Sequence, residues 1–118
     1  MATANDVFKS ALTLIDDQND DGGYAAKTPT LIDILQREIA IAEGVEITEE
    51  VTSLDDELKI SDSSARIILP YGLAWHFALG DKDAEFTNTY EAKYAQLLRT
   101  LTTEDDIKDV YNATTGMT

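Results

Sequence analysis

Asp17-Gln18-Asn19-Asp20-Asp21-Gly22 places oxygen-bearing side chains at the first, third and fifth positions of a run whose sixth residue is glycine. That is how a calcium-binding loop opens. The twelfth position of such a loop is a glutamate that gives the ion two oxygens, but here it is Thr28, followed by Pro29. A coordinated ion would lose both oxygens, and Thr28-Pro29 suits the start of a helix better than chelation. Weak or no metal binding through Asp17, Asn19 and Asp21 is therefore expected, the run serving as a solvated turn between two helices.

His76 is the only histidine and there is no cysteine, so neither a histidine–thiolate metal site nor a thiol nucleophile exists. The histidine lies between Trp75 and Phe77 in the most apolar part of the chain, which points to a packed or interface side chain. Adjacent carboxylates recur at Asp16-Asp17, Asp20-Asp21, Glu49-Glu50, Asp55-Asp56 and Asp105-Asp106. General acid–base work requires a carboxylate whose environment is perturbed within a pocket, whereas these pairs sit in polar runs. There is no glycine-rich phosphate loop and no basic aromatic patch. A non-enzymatic protein without a cofactor is expected.

The chain has 118 residues, 43% of them hydrophobic, which suits a single domain over residues 1–118 with a small core. Nine basic against twenty-three acidic residues leave a net charge of -14, which opposes binding to phosphate backbones and anionic lipid surfaces. The first residues lack the basic start and apolar run of a signal peptide. The longest apolar stretch, residues 67–79, is too short for a bilayer and contains Pro70 and His76. A soluble protein is expected.

Helical periodicity dominates the rest. Thr3 or Asn5 caps a first helix that carries Phe8, Ala11, Leu12 and Ile15 on one face. Thr28, available as a cap, and Pro29 open a second, with Leu31, Ile32, Ile34, Leu35, Ile39 and Ala42 forming a broad apolar face up to Gly44. Residues 45–51 read as a linker. Thr52 or Ser53 followed by Asp55, Asp56 and Glu57 predicts a short helix carrying Leu54, Leu58 and Ile60. Ser61 to Ser64 offer caps for a buried helix in which Pro70 crowds the carbonyl of Arg66, so a kink near Arg66 to Tyr71, or a helix restart there, is expected. Gly80 ends that helix and Asp81 or Asp83 starts the next, striped with Phe86, Tyr90, Tyr94, Leu97, Leu98 and Leu101. Thr103 and Asp106 make a capping box for a last short helix through Tyr111, with a frayed tail beyond, so residues 103–118 form a terminal appendage. The fold class is all-α: a small bundle of about four to five helices around a central, buried, proline-kinked helix.

Leu69-Pro70-Tyr71-Gly72-Leu73-Ala74, then Gly80-Asp81-Lys82-Asp83, Phe86 and Tyr90-Glu91-Ala92-Lys93-Tyr94, resemble the small head–tail connector proteins of tailed bacteriophages and prophages. The resemblance takes in Ala11-Leu12-Thr13-Leu14-Ile15-Asp16-Asp17, the helix beginning Thr28-Pro29-Thr30-Leu31-Ile32-Asp33, and the closing Glu104-Asp105-Asp106-Ile107-Lys108-Asp109-Val110-Tyr111, in the same order. It implies a structural virion protein, a monomer in isolation, that assembles as a homo-oligomeric ring beneath the portal protein. Tail or tail-completion proteins then dock on it. The protein would reside at the head–tail junction of the virion, and in the host cytoplasm before assembly.

Ring closure needs contacts in which one patch meets a different patch of the neighbour. Tyr71, Trp75, Tyr90, Tyr94 and Tyr111 are the aromatic candidates, with Trp75 and Tyr94 weighted toward core. The terminal stripe Ile107, Val110 and Tyr111 is too short to be a stable helix alone and must dock on its own domain or on the portal. Tyr71 with Ile107, Val110 and Tyr111 is thus the expected partner-binding set. The alternative is an acidic DNA mimic that inhibits a nucleic-acid-binding host protein. A calcium-regulated adaptor using Asp17, Asn19 and Asp21 is the weakest reading, because of Thr28.

Overall fold

Thr3 and Asp6 begin the fold reciprocally. The Thr3 hydroxyl accepts from the Asp6 N–H at 3.3 Å and the Asp6 carboxylate accepts from the Thr3 N–H at 3.0 Å, a capping box that opens helix α1, Ala4–Leu14. In the computed structural model, the backbone is described for residues 1–114 and side chains for residues 1–101. Val7, Phe8, Ala11 and Leu12 bury the inner face of α1, and Ile15 is half-buried just past its end.

Helix α2, Thr28–Glu43, has Pro29 in its first turn as expected. Thr28 is not its cap: it lies inside the helix, fully buried, and its hydroxyl donates to the Tyr24 carbonyl at 2.8 Å, while Lys27 occupies the cap position. Ile32, Leu35, Ile39 and Ala40 face the core.

The short helix expected around residues 52–60 does not form. Residues 45–61 are an irregular strap that lies against α2 and the N-terminus. The Ala4 N–H donates to the Asp56 carbonyl (2.9 Å), the Asn5 N–H to Leu54 (2.8 Å) and the Leu58 N–H to Ala2 (2.9 Å), with Thr3 and Glu57 bridged antiparallel. Those bonds hold the backbone as a turn and a bridge rather than a helix, yet Leu58 and Ile60 still reach the core. The strap is tied to α2 by the Val51 N–H donating to Asp33 (2.9 Å) and by Arg37 donating to the Ile47 carbonyl (3.1 Å).

A π-helical turn, Ser64–Ile68, runs directly into α3, Leu69–Gly80. The Leu69 N–H reaches back to the Ser64 carbonyl, one residue further than in an α-helix. This wide turn immediately precedes Pro70, whose ring would otherwise crowd the Arg66 carbonyl, and α3 restarts after it with the proline in its first turn. α3 is the centre of the bundle: Leu69, Leu73 and Phe77 have no exposed surface, and α1, α2 and α4 all pack against it. The approach is closest at Gly72, where an added Cβ would come within 2.8 Å of the Tyr94 ring and 3.0 Å of Leu35.

Three helices end in one way. Leu12, Ala40 and Ala78 carbonyls accept from the N–H groups of Asp17, Val45 and Asp83, with a second bond inside each, Asp16 to Thr13, Gly44 to Ile41 and Lys82 to Leu79. This is the Schellman pattern, whose penultimate residue is left-handed: Asp16 (φ 57), Gly44 (φ 74) and Lys82 (φ 60). Only one of the three is glycine.

Asp83 then accepts from the Phe86 N–H at 3.1 Å and opens α4, Ala84–Thr114. Thr103 does not start a separate helix, because the backbone is helical without a break from Ala84 to Thr114. Along its described part α4 packs Tyr94 fully, and Leu97, Leu98 and Leu101 partly, against the core.

Candidate functional site

The acidic run after α1 uses its carboxylates on its own backbone. Asp17 accepts from the N–H groups of Asp21 (2.8 Å) and Gly22 (3.0 Å), and Asp20 from those of Tyr24 (2.6 Å) and Ala25 (3.2 Å). Asp17, Asn19 and Asp21 therefore do not converge as an oxygen cage. Among the described residues no group of three or more histidine, cysteine, aspartate or glutamate side chains is placed to hold a metal ion.

This turn delivers Tyr24 to the core, stacked on Phe77 with ring centroids 4.2 Å apart. The Tyr24 hydroxyl donates to the Asp81 carboxylate in a short bond. That bond and burial push the phenol up to about 12, so it stays protonated at any physiological pH. His76 is half-buried beside Trp75, ring centroids 4.6 Å apart. Burial holds its imidazole below the usual value and so favours the neutral ring, against the opposing pull of Glu38. It is the single histidine of the chain.

The aromatic candidates separate clearly. Tyr94 is core: buried, its hydroxyl 3.0 Å from Glu38, its ring 5.9 Å from Trp75. Trp75 is half-buried against that core, and the Tyr90 hydroxyl donates to the Leu14 carbonyl at 2.7 Å. Tyr71 is half-buried with the Lys93 ammonium 5.8 Å from its ring centroid. Ile107, Val110 and Tyr111, the other expected partner-binding residues, lie outside the described side chains.

Tyr71 belongs to a larger apolar strip. Pro70, Tyr71, Ile67 and Leu14 line a groove of about 380 Å³. Leu14 also lines a neighbouring cleft of about 350 Å³ with Ile15, Phe77, Phe86 and Tyr90, rimmed by Asp16, Asp81 and Asp83. Ile67 and Phe86, 56% and 52% exposed, mark the two ends of this strip across α1, α3 and α4. A second apolar patch sits at the end of α2, where Ile41 is 81% exposed and lies with Val45, Ala40 and Ile47 around a shallow depression. The two share no residue. Sequence periodicity marked Leu31, Ile32, Ile34, Leu35, Ile39 and Ala42 as one broad apolar face and passed over Ile41; of that face Ile32, Leu35 and Ile39 are buried, whereas Ile34, one helical heptad before Ile41, is exposed with it.

A third concavity, about 430 Å³, lies between α2 and the strap. It is lined by Glu49, Glu50, Asp55, Asp56 and Glu57, with Lys59 and the buried Gln36. Asp56 is committed to the strap: its carboxylate accepts from the N–H groups of Thr52 (2.8 Å) and Ser53 (3.1 Å), which hold it below the usual carboxylate range.

None of the described helices is long and apolar enough to cross a membrane. Comparison with known protein families, curated proteins and solved structures finds no match to this chain.

Proposed function

We propose that this chain is a non-enzymatic structural subunit of the phage head–tail connector type, which joins copies of itself in a ring between the portal protein and the tail or tail-completion protein. One observation carries the reading: the subunit exposes two unlike apolar patches, the Ile67–Tyr71–Phe86 strip on α1, α3 and α4 and the Ile41–Val45 patch at the end of α2. Exposed apolar surface of this kind marks interaction sites. Two different patches on one subunit suit the head-to-tail contact that closes a ring, whereas a two-fold dimer needs a single self-complementary patch. The order of motifs along the chain supports the same family.

The charge of -14 per subunit suits a channel through which DNA passes. Carboxylates facing the lumen repel the phosphates at close approach, within the screening distance of about 8 Å at physiological salt.

The test is sedimentation of the purified chain with portal assemblies from the same genome. The wild type is expected to co-sediment, and Ile41→Glu and Phe86→Glu each to lose retention, because each spoils one side of the subunit contact. Absence of the wild type from the portal fraction, or retention of both variants at the wild-type level, overturns the proposal. Inhibition of a DNA-binding host protein by the free chain would favour the DNA-mimic alternative.

A further inference from the structure

Gln36 is the one residue among those described whose buried side chain leaves a polar atom without a partner. It projects from the middle of α2, has no exposed surface, and lines the acidic cleft between α2 and the strap. Its Oε1 accepts from the Lys59 N–H at 2.5 Å, which fixes the orientation of the amide: turned over, an NH₂ would face an N–H. The two N–H donors on Nε2 are left with no acceptor, a state that costs about 1–3 kcal/mol in a protein interior. The cleft that Gln36 lines also carries Glu49, Glu50, Asp55, Asp56 and Glu57 against one cation, Lys59, whose ammonium is 3.7 Å from Glu49. Asp56 is occupied by backbone amides; Glu50, Asp55 and Glu57 have no cationic partner among the described residues.

The cleft therefore asks for two things at once, a hydrogen-bond acceptor at its floor and positive charge at its rim. Ammonium ions, polyamines and guanidinium groups bring charge but no acceptor. Nucleic acid brings acceptors with the wrong charge. A peptide rich in arginine or lysine brings both, a backbone carbonyl and, on the same residue, a cationic side chain. We propose that this cleft binds a basic, extended peptide segment of a partner protein, with a main-chain carbonyl accepting from Gln36 Nε2 and arginine or lysine side chains pairing with Glu50, Asp55 and Glu57. Because Nε2 is closed to bulk water, the carbonyl reaches it as the irregular strap eases outward on binding. The site lies apart from both apolar patches and stands or falls independently of the ring.

The experiment is a titration of the ¹⁵N-labelled full chain with acetyl-Arg-Gly-Arg-amide, followed by ¹H–¹⁵N spectra. Acetyl-Glu-Gly-Glu-amide and guanidinium chloride at equal concentration serve as controls. Saturable movement of the Gln36 side-chain NH₂ pair and of the Val51 and Lys59 amides, absent with either control, is expected. Glu50→Gln with Asp55→Asn, both exposed and without side-chain hydrogen bonds of their own, is expected to weaken binding about tenfold. Gln36→Glu keeps the acceptor for Lys59 while removing the donors and should abolish the movement of the Val51 and Lys59 amides. If that buried variant does not fold, the surface pair decides the matter. An unmoved Gln36 NH₂ pair, the same shifts with guanidinium chloride, or wild-type affinity in the surface double variant overturns the proposal.

Discussion

Replacing Gly72 with alanine adds one methyl group, and two opposing effects decide the outcome. In an open helix the change stabilises by about 1 kcal/mol, because alanine has less backbone freedom to lose. At this position the new Cβ meets Tyr94 Cε1 at 2.8 Å and Leu35 Cδ2 at 3.0 Å. The Leu35 methyl can give way, but the tyrosine ring is held by the bond to Glu38 and by Trp75 beside it. Overpacking of this kind costs about 1–3 kcal/mol, occasionally more, and the cost here lies toward the upper end because the ring is pinned. The net prediction is destabilisation by about 1–2 kcal/mol. For 118 residues the unfolding entropy is about 0.25 kcal/mol/K, so Tm should fall by about 4–8 °C in a thermal melt followed by circular dichroism. In a Tyr94→Ala background the space is vacated and the same substitution should become neutral or stabilising. A higher Tm for Gly72→Ala alone, or an equal loss in both backgrounds, would refute the packing of α3 on α4 described above.

Thr3→Ala removes one side of the capping box and should cost about 1 kcal/mol, read as a lower urea midpoint with unchanged slope. Lys82→Gly relieves a left-handed lysine at the end of α3 and is expected to raise stability by up to about 1 kcal/mol; a loss would contradict the Schellman assignment. Two acid steps are expected in a stability–pH curve. His76 titrates below its ordinary 6.5 in the folded chain, so its contribution is complete above about pH 6.5 and declines as pH falls below it; His76→Gln should flatten that step. For Glu43 burial alone would raise the carboxyl, but hydrogen bonds from Ser61 and Ser64 outweigh it and leave it below 4.5. Its contribution is present above pH 4.5 and lost on further acidification, a step that Glu43→Gln should remove. Calcium chloride at millimolar concentration should leave Tm unchanged relative to a chelator, since Asp17 already caps two amides; a rise of several degrees would contradict that assignment.

The elements whose signals are local and unopposed were legible in the sequence. Thr3 before a 3.6-residue apolar stripe, Gly44 after another, Asp83 before α4 and the disturbance at Pro70 each appear where residue chemistry placed them. Thr52, Ser53 and Asp56 misled because a carboxylate that accepts from amides three and four residues back makes the same sequence pattern in a turn as in a helix start. Which one forms is decided at a distance, by backbone hydrogen bonds exchanged between residues 54–58 and the N-terminus. Thr103 failed in the complementary way: a cap-like pair within a long helix does not interrupt it when the preceding turns already propagate. Of the expected site, Tyr71 lies on an exposed apolar strip. The patch at Ile41 and the orphaned Gln36 amide could not be read from sequence, because exposure and unmet hydrogen bonds are properties of how α2 is covered by the strap.

The ring is the central claim, and electron microscopy of portal assemblies incubated with the purified chain tests it most directly. Class averages are expected to show an added closed ring of density beneath the portal, coaxial with its channel, that disappears with Ile41→Glu. Portal particles indistinguishable from those without the chain, or copies bound singly without closing a ring, would contradict the account.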